Sequence, residues 1–298
     1  MPLKAGEPRL EARGLDWVGR FTCMAGPCEV WLEGGARDPA ARAIARAAAE
    51  AFRIEAKYSR FDSASELCRL QVCAEVPHAV DAETARLMDF AGSLWELSDG
   101  AFDITSGVLR HAWSFAPGAR PPSPDTVQEL LARMGWSRVT WANPTLHLPR
   151  GTELDLGGLG KEYAVDRCLA LLAEWPGGVL VNLGGDLAAR RRRDDRPWRV
   201  GMDGGRETQR YDLYQGAIAT SGDTHRYVKA DGVRYGHILD ARTGWPPPQA
   251  PASVTVLGAS CVEAGMLATL AVLQGAGAER FLDQVGAAGR VTRRGAGV

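Results

Sequence analysis

The spacing of hydrophobic and polar residues predicts helices and strands that alternate along the chain. An alanine-rich stretch places Ala47, Ala51 and Ile54 along one face, which is typical of a helix packed on a core. On the same reasoning, long helices are predicted at residues 39–58, 82–98, 159–175 and 261–273. Short apolar runs predict a first strand that ends at 30–33, a buried strand at 179–183 and another at 252–257.

Smaller features complete this outline. Ser63 followed by Glu66 predicts a capping box for a short helix. The prolines of residues 113–125 predict a loop, which leads into a helix at 126–134. Residues 139–148 predict a hairpin.

Four consecutive arginines at residues 190–193 are followed at once by Asp194 and Asp195. Such a run either binds a polyanion or forms the solvated tip of a hairpin. Because acidic residues follow directly, the hairpin tip is the preferred interpretation.

Strands and helices without regular βαβ repetition predict an α+β fold. With 298 residues the chain can bury a sizeable core, and we expect one domain, residues 1–298, with residues 1–20 as an N-terminal extension. Lys and Arg total 35 and Asp and Glu total 36, so the charge balance does not indicate a general binder of nucleic acid or of membrane surfaces.

An expectation for the compartment comes from the start of the chain and from its cysteines. The start, MPLKAGEPRLEARGLDWVGR, has no apolar run of signal-peptide length and no lipoprotein site, and no segment has the length of a membrane span. The six cysteines are scattered and have no histidine close enough for a usual zinc pattern. We therefore expect reduced, mostly buried thiols in a cytoplasmic protein.

The richest chemistry lies in residues 155–166, DLGGLGKEYAVD. A glycine-rich turn that leads into a helix is a natural anion site, and Lys161 adds a positive charge at the same end. A packing turn with an exposed lysine is the alternative. The P-loop pattern fails because Asp155 stands where its first glycine belongs and Glu162 follows the lysine, and the dinucleotide pattern fails at Tyr163.

Three further clusters combine glycine with acidic or hydroxyl residues: GAFDIT at 100–105, NLGGD at 182–186, and ATSGD at 219–223 followed by GHILDARTG at 236–244. Asp240 to Gly244 has the composition of a tight turn. His237 stands just before it, where a strand would end. A lone histidine there is either structural or, beside a phosphate site, a proton acceptor.

Together these clusters resemble the ApbE-type FAD:protein FMN transferases. The resemblance extends from Phe21 to about Gly275 and rests on six segments in the family's order, which are SRFDSASELCRL, GAFDIT, DLGGLGKEYAVD, VNLGGD, IATSGD and GHILDARTG. It implies a T-fold-like core of mixed and antiparallel sheet with packed helices, in which two interleaved lobes enclose an FAD cleft.

The resemblance also implies an activity and a set of site residues. Such enzymes bind FAD and Mg²⁺, move FMN onto a threonine or serine of an acceptor protein through a phosphoester bond, and release AMP. His237 would be the base and Lys161 a catalytic FAD contact. The other FAD-binding residues would be Met24, Phe61, Ala101, Phe102, Asp103, Asp155, Thr220, Ser221, Gly222 and Ile238. The metal ligands would come from Gly158, Ala268 and Thr269.

One residue departs from the family pattern. The late helix of the family carries Ala-Asp-Ala-x-Ala-Thr, whose aspartate and threonine bind magnesium, but here Gly265 stands in place of the aspartate. Glu263 lies roughly 200° around the helix and cannot take over. The metal site is therefore expected to be weakened, with Gly265→Asp raising turnover. An FAD-binding protein without transferase activity, or an FAD pyrophosphatase, stays open as an alternative.

Overall fold

The computed structural model describes residues 7–203, 208–224 and 226–294. Its strands are β1 Arg9–Arg13, β2 Asp16–Cys23, β3 Gly26–Leu32, β4 His78–Ala79, β5 Thr140–Ala142, β6 Thr145–His147, β7 Val179–Leu183, β8 Asp186–Arg190, β9 Trp198–Asp203, β10 Thr208–Leu213, β11 Gly216–Gly222, β12 Tyr227–Ala230, β13 Val233–Gly236, β14 Ser253–Gly258 and β15 Gly289–Thr292. Its α-helices are α1 Arg37–Tyr58, α2 Glu66–Val72, α3 Ala82–Leu97, α4 Pro124–Leu131, α5 Gly160–Leu171, α6 Cys261–Leu273 and α7 Ala278–Gln284.

An eight-stranded sheet, in the order β1-β2-β3-β7-β8-β11-β14-β15, forms the centre of the molecule. Every neighbouring pair in it is antiparallel. Smaller sheets combine β4 with β5 and β6, β9 with β10, and β12 with β13. The predicted α+β fold with an antiparallel sheet core is confirmed; the single domain with two lobes stays a prediction.

Three helices cover one face of this sheet and form the main core with it. Side chains of α1 such as Ile44 and Ile54 are fully buried there, as are Val165 of α5 and Ala264 and Ala268 of α6. Strand side chains alternate between faces. On the other face, Leu180, Leu187 and Ile218 pack with Trp198 at the start of β9.

Most predicted boundaries agree with the structure, but the predicted N-terminal extension does not. Residues 9–13 form β1 and residues 16–23 form β2, and Trp17 to Cys23 of β2 pair with β3. Residues 1–6 lie outside the described residues. This segment is therefore an edge of the sheet, where Arg9, Glu11 and Arg13 alternate with Leu10 and Ala12.

Two helix starts differ from the prediction. The short helix α2 is capped by Ser65, whose Oγ accepts the backbone N–H of Cys68 at 3.0 Å, so the predicted capping box at Ser63 is wrong. Helix α4 begins at Pro124 inside the predicted loop, with Ser123 as its cap. Proline is favoured at the first helical position because its missing N–H has no intrahelical partner there.

The arginine run at residues 190–193 is not simply a solvated tip. Arg190 donates to the carbonyl oxygens of Leu172, Ala173, Trp175 and Gly177, just beyond the end of α5. Arg192 pairs with Asp16 at 2.8 Å, and its side chain is only 8% exposed. Arg190 thus binds the carbonyls that follow α5, which ends at Leu171 and not at the predicted residue 175.

Among the described residues, no helix is both long enough and apolar enough to cross a lipid bilayer.

Candidate active site

The glycine-rich turn before α5 is organised by Asp155. One carboxylate oxygen of Asp155 accepts the N–H of Gly157 at 2.8 Å, and the other pairs with Arg60, two residues beyond α1. A Cβ on Gly157 would stand 2.9 Å from that first oxygen, so a side chain at residue 157 would displace the Asp155 carboxylate. Asp155, predicted to contact FAD, therefore shapes the turn with both oxygens.

Lys161, in the first turn of α5, reaches across to β8. Its ammonium pairs with Asp186, whose side chain is only 4% exposed. The other carboxylate oxygen of Asp186 accepts the N–H of Thr220 on β11 at 3.1 Å. Burial alone would lower the pKa of Lys161, but the carboxylates of Asp186 and Glu162 outweigh it and raise that pKa. Lys161 is therefore a charged group held by a buried acid.

The turn between β2 and β3 approaches the same place. A Cβ on Gly26 would stand 3.2 Å from the Cα of Gly184, and a Cβ on Gly184 would stand 3.5 Å from Cδ of Lys161. Met24, predicted to lie near the flavin, is in this turn with φ 51°, and its N–H donates to Glu55 at 2.8 Å. The NLGGD segment and Met24 are thus neighbours of the lysine.

Hydroxyl groups of β11 pair with hydroxyl groups of α6 and of β14. Oγ of Ser221 and Oγ1 of Thr269 are 2.6 Å apart, and Oγ1 of Thr220 lies 2.8 Å from Oγ1 of Thr255. Gly222, predicted to contact FAD, ends β11, where a Cβ would stand 2.3 Å from the carbonyl oxygen of Ala252. Ser221, a predicted FAD residue, therefore touches Thr269, a predicted metal ligand, on the helix-covered face of the sheet, whereas the hydroxyl of Thr220 lies on the opposite face.

The GAFDIT segment joins the glycine turn to the DARTG turn. The carbonyl of Ala101 accepts the N–H of Ala241 at 3.0 Å, and a Cβ on Gly158 would lie 3.7 Å from the Phe102 ring. Asp103 points inward, where its oxygens accept the N–H groups of Thr105 at 2.7 Å and Trp136 at 2.8 Å. Its carboxylate therefore holds the segment together from inside.

His237 directly follows β13, as predicted. Its Nδ1 lies 3.2 Å from the carbonyl oxygen of Arg226. Because a carbonyl only accepts, Nδ1 carries the proton of the neutral ring and Nε2 is left as the acceptor. Burial, and then the charge of Arg226, lower the pKa of His237, and the charge of Lys161 adds to this effect. The imidazole is thus a neutral base within electrostatic range of the lysine.

The remaining predicted residues lie at the edges of this region. Phe61 is 79% exposed, and its ring stacks against the guanidinium of Arg60 at 4.8 Å. Ile238 packs partly buried against the main core. Ala268 is buried inside α6, one residue before Thr269.

Oxygen donors rather than a cluster of acids would have to hold a cation here. Within the described ranges, no group of three or more His, Cys, Asp or Glu side chains could hold a metal ion. Glu162, however, is 6% exposed, and its Oε2 is buried without a hydrogen-bond partner. A magnesium ion, which prefers oxygen ligands, fits such a donor set of one carboxylate with main-chain and hydroxyl oxygens.

Sequence reasoning missed the roles of Arg60, Asp186 and Glu162. Asp186 was part of a quoted motif, and its position directly after two glycines could have marked it as a partner for Lys161. Arg60 gave no comparable signal, because its partner Asp155 is 95 residues away along the chain, and the burial of Glu162 depends on the packing of α5 against α6. Contacts of that kind appear only after folding.

A cavity lies on the face of the sheet that the three helices do not cover. This open cavity of about 1280 Å³ is lined by residues such as Trp31, Leu180, Arg192 and Trp198. None of the predicted FAD or metal residues lines it, so it is distinct from the polar cluster around Lys161.

Known proteins resemble this chain along most of its length. The chain is 36% identical over 230 residues to the FAD:protein FMN transferase of Vibrio cholerae, which covers 73% of this chain and 69% of the relative. It is 27% identical over 234 residues to the enzyme of that name from Haemophilus influenzae, covering 72% and 68%.

Solved structures agree with the sequence relatives. The ApbE protein of Thermotoga maritima superposes with a TM-score of 0.83 at 28% identity and covers 93% of this chain and 94% of its own. The flavin transferase ApbE of Vibrio cholerae gives 0.80 at 26% identity, covering 95% and 94%. The sequence profile of the ApbE family matches residues 24–289. The chain therefore belongs to the ApbE family.

Proposed function

We propose that this protein is an FAD:protein FMN transferase that moves FMN from FAD onto a threonine or serine of an acceptor protein and releases AMP. The observation that carries the proposal is the glycine-rich turn that opens α5, where the buried carboxylate of Asp186 holds the ammonium of Lys161 beside Gly184 of the NLGGD segment. The names of the relatives support the same reaction.

FAD would lie with its diphosphate against the bare main chain of Gly157 and Gly158. The charge of Lys161 and the start of α5 favour an anion there. Met24, Phe61, Ala101 and Phe102 would border the rings, and Thr220 and Ser221 would offer hydroxyl donors. The inward carboxylate of Asp103 would support this wall from behind, and Gly222 and Ile238 complete the proposed contacts.

The chain's own residues supply a base and a charge for the reaction. Nε2 of His237 takes the proton of the acceptor hydroxyl, whose oxygen then bonds to the phosphorus of the FMN half. The bond between that phosphorus and the bridging oxygen breaks, and AMP leaves with the bridging oxygen. Lys161 stabilises the negative charge on the phosphate oxygens.

The proposed metal ligands are the carbonyl oxygens of Gly158 and Ala268 and the hydroxyl of Thr269. A bound Mg²⁺ would neutralise part of the negative charge on the diphosphate. The hydroxyl of Thr269 is already in hydrogen-bond contact with the hydroxyl of Ser221 at 2.6 Å.

A cytoplasmic location is part of the proposal. It is supported by the six cysteines, which are all free, four of them buried. Free thiols are typical of reducing compartments.

The function is tested by incubating the protein with FAD, Mg²⁺ and candidate acceptor proteins. The expected result is flavin fluorescence that stays with an acceptor through denaturing electrophoresis, together with one AMP per flavin transferred. Release of AMP and free FMN with no labelled acceptor would indicate a pyrophosphatase. Retention of intact FAD under all conditions would indicate a binding protein, and either result would contradict the transferase.

The protonation of His237 gives a second test. Because burial and Arg226 lower its pKa, the ring should lose its extra proton below pH 6.5, the ordinary value, and be a base throughout the neutral range. The measurement is the NMR chemical shift of the His237 Cε1 proton against pH, assigned by comparison with His237→Asn. A titration midpoint above pH 6.5 would contradict a buried His237 ring beside the charge of Arg226.

A further inference from the structure

The side chain of Glu162 fills the space that a side chain at residue 265 would need. Glu162 lies in the first turn of α5 and Gly265 in the middle of α6, and the two helices pack together. A Cβ on Gly265 would stand 2.5 Å from Cγ, 3.0 Å from Oε1 and 3.2 Å from Cδ of Glu162. Glycine at residue 265 therefore leaves the space that the Glu162 side chain occupies.

Among the acids that the structure describes around Gly265, Glu162 has a buried carboxylate oxygen with neither a hydrogen bond nor an ion pair. Both oxygens of Asp166 accept N–H groups at the start of α6, from Cys261 at 2.8 Å and Val262 at 2.9 Å. Asp186 is engaged by Lys161 and Thr220. Within the described part of the chain, Oε2 of Glu162 is buried with no hydrogen-bond partner. A buried polar atom of this kind is costly unless a proton or a cation satisfies it.

The Glu162 carboxyl lies against residue 265, where the family pattern has an aspartate and this chain has glycine. Gly265 and Thr269 are four residues apart on α6 and so lie on the same face, one turn from each other. Thr269 is the predicted metal ligand whose hydroxyl touches Ser221. A carboxyl over Gly265 therefore stands next to the hydroxyl that an aspartate at 265 would also have approached.

We propose that Glu162, reaching across from α5, supplies the carboxylate ligand for a divalent cation that α6 lacks at Gly265. The inference rests on the proposed function for the place of the metal site, and it deepens that function by naming the ligand. Burial and the charge of Asp186 raise the pKa of Glu162 to about 8, so a bound cation would displace a proton from it. It also revises the expectation for Gly265→Asp, because an aspartate added there collides with Glu162.

The test measures the affinity of the protein for Mn²⁺ alone, a paramagnetic substitute for Mg²⁺. Binding is followed by the loss of the electron paramagnetic resonance signal of the free ion. Glu162→Gln keeps the shape of the side chain and should weaken Mn²⁺ binding roughly tenfold or more, because charge count tunes affinity for hard cations. Glu263→Gln is the matched control. It removes an exposed acid from the first turn of α6, where Glu263 accepts the N–H of Ala259 at 2.8 Å, and should leave the affinity unchanged.

A double variant that moves the carboxyl group from α5 to α6 gives an independent test. Glu162→Ala combined with Gly265→Asp should restore Mn²⁺ affinity to within a few-fold of the original protein, while Gly265→Asp alone should lower the thermal midpoint through the collision. Retained affinity in Glu162→Gln, or no Mn²⁺ binding by the unaltered protein, would overturn the inference. If Glu162→Gln loses Mn²⁺ but the unaltered protein never labels an acceptor, the proposed function fails and the metal ligand stands.

Discussion

Replacing His237 with asparagine is expected to slow FMN transfer by about 10²–10⁴-fold, the range that a positioned base contributes. Asparagine preserves a donor for the carbonyl of Arg226, which His237 now contacts at 3.2 Å, but offers no basic nitrogen. FAD affinity should change little, because the glycine turn and Lys161 remain. The measurement compares single-turnover transfer rates with FAD binding by calorimetry.

His78 provides the matched control for this variant. Its Nε2 also lies near a backbone carbonyl, that of Cys73 at 3.1 Å, but it belongs to the small sheet of β4, β5 and β6. His78→Asn should therefore transfer FMN at the unaltered rate. If His237→Asn were as active as His78→Asn, the base would have to be another group.

Lys161→Ala should abolish measurable transfer and also destabilise the fold. The variant removes the charge beside the glycine turn, and it leaves the buried carboxylate of Asp186 without its cation. Breaking a buried pair in this way costs on the order of 3 kcal/mol. Urea unfolding measures the second effect, and FAD calorimetry with the transfer assay measures the first.

A double variant separates the two roles of the lysine. Lys161→Ala with Asp186→Asn removes both charges, so most of the lost stability should return, since the amide oxygen can still accept the N–H of Thr220. Transfer should stay absent. Recovery of activity along with stability would mean that Lys161 only supports the fold and does not serve the diphosphate.

Local patterns sufficed for much of the fold and for the family. The helix predicted at 261–273 and the strand at 179–183 have the observed bounds, because each is a mostly apolar stretch flanked by polar residues or by glycine. The tight turn at Asp240 is also present, with its carbonyl accepting the N–H of Gly244 at 2.8 Å. The six quoted segments identified the family that the profile match then confirmed.

What the sequence could not provide was the pairing between distant segments. Ser63 and Ser65 are equally good caps by type, and only the path of the chain selects Ser65. Arg192 is buried because Asp16, on a strand 176 residues earlier, faces it. The weakened metal site stays a prediction, but it rests on a search along α6 alone, which finds Glu263 and cannot find Glu162, the acid that α5 places against Gly265.

The close contact between Glu162 and Gly265 constrains how such a sequence can change over generations. Starting from an aspartate at 265, gaining the glutamate first brings two acids into collision, and losing the aspartate first leaves none. Neither intermediate is harmless, so the two positions should be inherited as a pair. Among relatives, the identity of one of these residues should then forecast the other, although 102 residues separate them in the chain.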